Sequence, residues 1–344
     1  MKGSFEELSG RFREALTEFI WNQWVSIGVA GSVKKGSKIP FAIDPEALLL
    51  ATTRFGMTEP RLAGEVLDWL TLNGKAIRLQ RIKNLQVEYH LGNVRVMKSI
   101  AEILEGSGQK NWHALKGMRG SEDERDSRGG RRMIDLSEIG MRGMSQKPDP
   151  YSESAFLFRM RSFFGMNARA EIFTWLLTHE GGHAAAIARE TGWFSKTVQV
   201  TLNELAQSGL ITGLHDEGMR SRERVFRIDR DPWRFLTPLS GALRWFPQAP
   251  FYLGCRHILR TLNSVVADTA SSSRMVALKI RENLAPTAVS FQRAGVGDLF
   301  DVEARFKGDH LVEAYQDGVE KILHRVTYPI EGVMPFQKGF RSVR

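Results

Sequence analysis

The sequence predicts a mainly α protein of several domains, with a small β-hairpin near its centre and helical domains on either side. Three observations carry this. Apolar residues recur at helical spacing along much of the chain, as in Phe5, Leu8, Phe12, Leu16, Phe19 and Ile20. Strand signals around a glycine-containing loop stand at 210–212 and 223–228. The 344 residues also exceed what a single hydrophobic core ordinarily serves.

Composition narrows the class. With 42% apolar and 25% charged residues the chain is that of a folded globular protein. No window holds the roughly 18 uninterrupted apolar residues of a spanning helix, and the start MKGSFEELSGRF is too polar for a secretory core, so a cytoplasmic protein without a membrane partner is expected. Cys255 is the single cysteine; it excludes an intramolecular disulfide and a cysteine-rich zinc site, and in FYLGCRHIL it is expected to be buried. A net charge of +9 favours polyanionic partners, because each neutralised phosphate releases a condensed counterion, but it does not choose between DNA, RNA and an anionic membrane.

The first 105 residues read as a helical domain. After the helix of 5–20 comes an apolar run, Trp24 to Ala30, and then a turn or basic loop, Gly31 to Pro40, with Lys34, Lys35 and Lys38. Asp44-Pro45 is an N-cap followed by proline at the first helical position, and it opens a helix from Glu46 to Thr53. A second helix, Thr58 to Leu72, aligns Leu62, Val66, Trp69 and Leu70 and ends at Asn73-Gly74. Packing or dimerisation is the expected role, with a degenerate copy of the central motif described next as the alternative. In 106–153 apolar content falls and GSEDERDSRGGRR mixes charges without periodicity, which predicts a flexible charged linker. From 236 to 344, helical patterns at 252–267 and 311–326 predict a packing or dimerisation domain.

The segment 154–235 carries the function. Asn167 caps a helix with Ala168, Ile172, Trp175 and Leu176 on one face. A short helix, Ala184 to Thr191, turns Ile187 and Ala188 inward, and Gly192 supplies the positive φ of a tight turn. Ser195 is the expected cap of a third helix, whose buried stripe is Val198, Leu202 and Leu205 and whose polar face holds Lys196, Thr197, Gln199 and Asn203. Such side chains pair with base edges and phosphates. The hairpin that follows carries Arg220, Arg222 and Arg224 at every second residue, so an extended chain points them one way, toward a phosphate backbone or minor groove.

AAIARETGWFSKTVQVTLNELAQSGLI, within 167–230, resembles the winged helix-turn-helix regulators of the ArsR and MarR type. More broadly, 43–85 joined to 167–192 looks like bacterial regulators found beside nucleotidyltransferase-type toxins. The resemblance implies a transcriptional regulator that reads duplex DNA as a homodimer, with helix 195–208 in the major groove and wing 213–224 on the backbone. The alternative is an antitoxin or scaffold whose winged helix and C-terminal domain bind a partner protein. Metal-sensing members use cysteine pairs or histidine and carboxylate clusters; this segment has no cysteine, so metal sensing is not carried over.

Three enzymatic signals fall short, and no catalytic residue, cofactor or metal ligand is assigned. His179-Glu180-Gly181-Gly182-His183 matches H-E-x-x-H literally, but that chemistry needs a continuous helix, where two glycines cost about 2 kcal/mol. Cys255 and His257 are two apart and do not face each other on a helix. Gly295-Val296-Gly297-Asp298 lacks the lysine and hydroxyl residue of a phosphate loop.

Overall fold

The computed structural model describes residues 2–31, 39–119, 135–215, 224–236, 243–268, 272–302 and 305–328. The chain is mainly helical, and the two ends of the sequence meet. Helix α1 (Lys2–Ser26) packs against α10 (Gln248–Ala267) and α12 (Gly308–Thr327), while α11 (Ser273–Arg293) packs on both of these. The stripe Phe5, Leu8, Phe12, Leu16, Phe19 and Ile20 is buried as its spacing predicts. Phe19 meets Phe251 edge-on with ring centroids 5.9 Å apart, and Gln23 Nε2 donates to the Tyr252 hydroxyl at 2.6 Å.

This joins regions expected to be separate. One continuous core runs from Phe5 to Val326 and takes in the helices of both the 1–105 and the 236–344 regions. The physical reason is that α1 carries a long apolar stripe whose complement lies about 250 residues away, and spacing along a sequence says nothing of such a partner.

Between α1 and the centre stand α2 (Pro45–Ala51), α3 (Pro60–Asn73), α4 (Leu79–Tyr89) and α5 (Val94–Gly106). Asp44 caps α2 as expected, accepting from the Ala47 amide at 3.0 Å. The helix then widens into a π-helical turn, Thr52–Gly56, instead of ending near Thr53. All three strands among the described residues lie between 182 and 227, so the alternative of a second hairpin motif in 1–105 finds no strand there.

The linker expected at 106–153 is in large part anchored structure. Trp112 and Leu115, in a 3-10 turn at Lys110–Leu115, are fully buried. Asp68 of α3 accepts from the amides of Gly143, Met144 and Ser145 at 2.8, 3.0 and 2.9 Å. Burial opposes the charge of this carboxyl, but the three amides together hold its pKa below the ordinary carboxylate range. Gln146 N donates to Gly28 O at 2.7 Å. Backbone hydrogen bonds do the anchoring here, and low hydropathy does not reveal them. The charged stretch at 120–134 lies outside the described residues.

The central region runs α6 (Phe156–Phe164), α7 (Ala168–Thr178), β1 (Gly182–His183), α8 (Ala184–Thr191), α9 (Ser195–Gln207), β2 (Thr212–His215) and β3 (Arg224–Arg227). The three strands form an antiparallel sheet in the order β1-β3-β2, with Gly182 opposite Phe226 and Leu214 opposite Val225. Its own core unites Ala168, Ile172, Trp175 and Leu176 with Ile187, Ala188, Val198, Leu202 and Leu205, closed by Ile211, Phe226 and Trp245. Cys255 is buried in α10, and burial pushes its thiol pKa up. Among the described residues no helix is long and apolar enough to cross a membrane.

A buried ionic cluster ties the central region to the helices before it. Arg161 of α6 bridges Glu46 of α2 (Nη2 to Oε2, 2.6 Å) and Glu171 of α7 (Nη2 to Oε1, 2.6 Å), and donates to Ala76 O at 2.8 Å. Arg81 of α4 pairs with both carboxylate oxygens of Asp44 and reaches Glu46 Oε2 at 2.7 Å. Burial works against each guanidinium charge, yet the surrounding carboxylates raise both pKa values above that of ordinary arginine. Removing one member strands the others without water. Arg161→Met is therefore expected to lower unfolding stability by about 3–5 kcal/mol, read from the guanidinium chloride midpoint; a loss under about 1 kcal/mol contradicts this account of the cluster.

Candidate nucleic-acid interface

The geometry of α9 starts with the turn before it. Gly192 adopts φ +71°, the left-handed conformation expected of it, and its amide bonds back to Ala188 O at 3.0 Å. A second constraint is tertiary: a Cβ at this position meets Leu85 Cδ2 of α4 at 2.6 Å. The last carbonyls of a helix lack partners within it, and here α4 supplies them. Arg81 Nε donates to Thr191 O at 2.7 Å, Asn84 Nδ2 to Gly192 O at 3.3 Å and the Tyr89 hydroxyl to Arg189 O at 3.2 Å. The Arg81 cation also complements the negative end of the α8 dipole. From the other side, Trp193 Nε1 donates to Glu171 Oε2 at 3.3 Å.

Helix α9 therefore leaves a clamped corner. Val198, Leu202 and Leu205 are buried as their spacing predicts, while Ser195, Lys196, Thr197 and Gln199 are exposed and Asn203 is half-buried. Ser195 is not the cap. Phe194 holds that position, extended at φ −63° and ψ 137° and without a side-chain cap bond, so Ser195 opens the helix itself. The turn at Gly192 places Phe194 directly at the helix start, one residue earlier than its hydroxyl neighbour suggests.

The face opposite the buried stripe is centred on Lys196, Val200, Asn203 and Gln207 at spacings of four, three and four. Val200 and Gln207 escaped the sequence reading, although the helical period contained them. Val200 is 49% exposed, and an apolar residue is ordinarily assigned inward. Gln199 Nε2 approaches Asn203 Oδ1 at 3.4 Å, and at the flank Arg169 of α7 pairs with Glu204 at 2.5 Å.

Strands β2 and β3 form the expected hairpin, though Gly213 sits within β2 opposite Phe226 and not in the loop. Arg224 does not project outward as the alternation suggests. Its Nη2 donates to Gly213 O at 3.0 Å and its guanidinium lies 5.6 Å from the Phe226 ring centroid; Gly213, opposite Phe226, has no side chain, which leaves room for the arginine to fold back along the sheet. Arg220 and Arg222 lie outside the described residues, as do Lys34, Lys35 and Lys38.

The pentapeptide His179 to His183 lies beyond helix α7, divided between a connecting segment and a strand. Helix α7 ends at Thr178, His179 is extended, Gly181 has φ +147° and Gly182-His183 is strand β1. A Cβ on Gly182 meets Trp175 at 2.6 Å. The two imidazoles consequently face different partners. His183 Nδ1 lies 3.3 Å from Arg224 O, whereas His179 stacks on Trp175 with centroids 3.8 Å apart and bonds Trp175 O at 2.8 Å. Burial, with a smaller contribution from Arg230, pulls the His179 pKa down to about 4 despite the opposing Trp175 carbonyl. At neutral pH the ring is thus uncharged, and its 3.6 Å approach to Glu190 is not an ion pair. Glu190, whose pKa burial raises, instead accepts from Trp175 Nε1 at 2.8 Å.

No family model, curated protein or solved structure matches the chain, so the likeness to winged-helix regulators rests on motif and local geometry.

Two outcomes test this geometry. Gly192→Ala strains the backbone and collides with Leu85, and it is expected to cost at least about 1 kcal/mol of stability in a urea titration. The depressed His179 pKa means the unfolded chain binds a proton that the folded one refuses between about pH 6.5 and 4. Stability contributed by this group is therefore present above pH 6.5 and lost as pH falls. Between pH 7 and 5 the loss is about 2 kcal/mol, and His179→Gln is expected to remove that part of the pH dependence of the urea midpoint.

Proposed function

We propose that this protein is a sequence-specific regulator of transcription that binds duplex DNA through a winged helix-turn-helix, with α9 in the major groove and the β2–β3 hairpin on flanking backbone. One observation carries the reading. Helix α9 is held by its buried stripe and by the clamped Gly192 corner, with Lys196 and Gln199 exposed and Asn203 half-buried on its outer side, in a region that also holds a three-stranded sheet of order β1-β3-β2. The positive net charge of the chain supports a polyanionic partner. A cytoplasmic homodimer, reading two half-sites by its own symmetry, completes the proposal.

A second reading has its own support. Phe194 and Leu214, 61% and 59% exposed, place apolar surface at the start of α9 and on β2, which suits an antitoxin or scaffold that docks a partner protein.

Fluorescence anisotropy with the DNA upstream of its own gene, across a salt series, separates the two. Tight binding that weakens steeply with salt is expected, and replacing Lys196, Gln199 and Asn203 together by alanine is expected to weaken it at least about 100-fold with an unchanged circular dichroism spectrum. Absent or salt-independent binding, with a genomic neighbour co-purifying, favours the docking role.

A further inference from the structure

The exposed face of α9 has a chemistry more particular than "polar". Around the line Lys196, Val200, Asn203 and Gln207 it presents three amides, counting Gln199, one branched aliphatic side chain and one cation in the first turn. It presents no arginine, and its acid, Glu204, is engaged by Arg169. Base edges in the major groove differ in what they offer such groups. Guanine offers two acceptors, best met by arginine or lysine; cytosine offers a donor, met by a carboxylate; adenine offers an acceptor beside a donor, met by an amide; thymine alone offers a methyl group.

From this complementarity we infer that α9 is built to read adjacent A·T base pairs, with Val200 against a thymine methyl and the Asn203 amide on adenine N6 and N7. The inference rests on the DNA-binding reading above and specifies its ligand. Val200 and Asn203 are three residues apart, so they lie side by side on one helix face and reach neighbouring base pairs. Val200 is half exposed among polar neighbours and belongs to none of the buried clusters. Gln199, whose Nε2 faces Asn203 Oδ1, steadies that amide so that its Nδ2 protons meet N7 while Oδ1 accepts from N6. Lys196 opens the face in the first turn, and Arg189 of α8 and Arg227 of β3 are exposed too, cations available to phosphates.

The test is selection of duplexes from a random library by the full chain, followed by binding of the selected site with deoxyuridine in place of each thymidine. The selected sites are expected to hold at least two adjacent A·T pairs at their most constrained positions. Loss of the contacted methyl is expected to weaken binding by the wild-type chain roughly fourfold, and to have no effect on Val200→Ala, which stays folded because the residue is exposed. Asn203→Ala is expected to relax the adjacent adenine by at least about fivefold. Selected sites constrained at G·C pairs, or equal response of wild type and Val200→Ala to deoxyuridine, overturn the A·T reading while DNA binding stands. Retention of no duplex overturns both.

Discussion

The seating of the central helices against the amino-terminal ones depends on the buried cluster of Arg81, Arg161, Asp44, Glu46 and Glu171. These five side chains come from α2 and its cap, α4, α6 and α7, and none is in water. Such a cluster contributes little net stability relative to an apolar filling, since desolvation offsets much of the Coulomb gain. What it supplies is geometry. A guanidinium fork satisfied by two carboxylates and a carbonyl tolerates few arrangements, so α2, α4, α6 and α7 are held in one register.

The same cluster reaches the corner between α8 and α9. Arg81 is shared between Asp44 and the carbonyl of Thr191, and Glu171 between Arg161 and Trp193. Helix α9 is consequently oriented by the amino-terminal helices as much as by its own small core. The helix–glycine–helix corner, which in isolation rests on Ala188 and Gly192, is here a three-way junction in which α4 takes up the loose end of α8.

The residues His179 to His183 show how a literal motif loses its chemistry to context. The pattern needs one continuous helix, and the glycines between the histidines are occupied by a chain reversal and a strand packed on Trp175. Burial then keeps His179 neutral, and the carboxyl nearest it, Glu190 of α8 outside the motif, accepts from the indole of Trp175. The imidazole and the carboxyl serve as packing and hydrogen-bonding groups of the domain.

Local pattern determined much of the central region on its own. The stripes of α7, α8 and α9, the cap at Asn167, the left-handed glycine and the hairpin all follow from helical period, backbone conformation and turn chemistry acting within a few residues. Tertiary structure alone decided the rest. It joined α1 to α10 and α12 in one core, turned much of the expected linker into anchored backbone, folded Arg224 onto its own sheet and set Arg81 against the end of α8. Each of these is a contact between residues far apart in sequence or between side chain and backbone. Hydrophobic periodicity registers which way a side chain faces, and it carries no information about what waits on the other side.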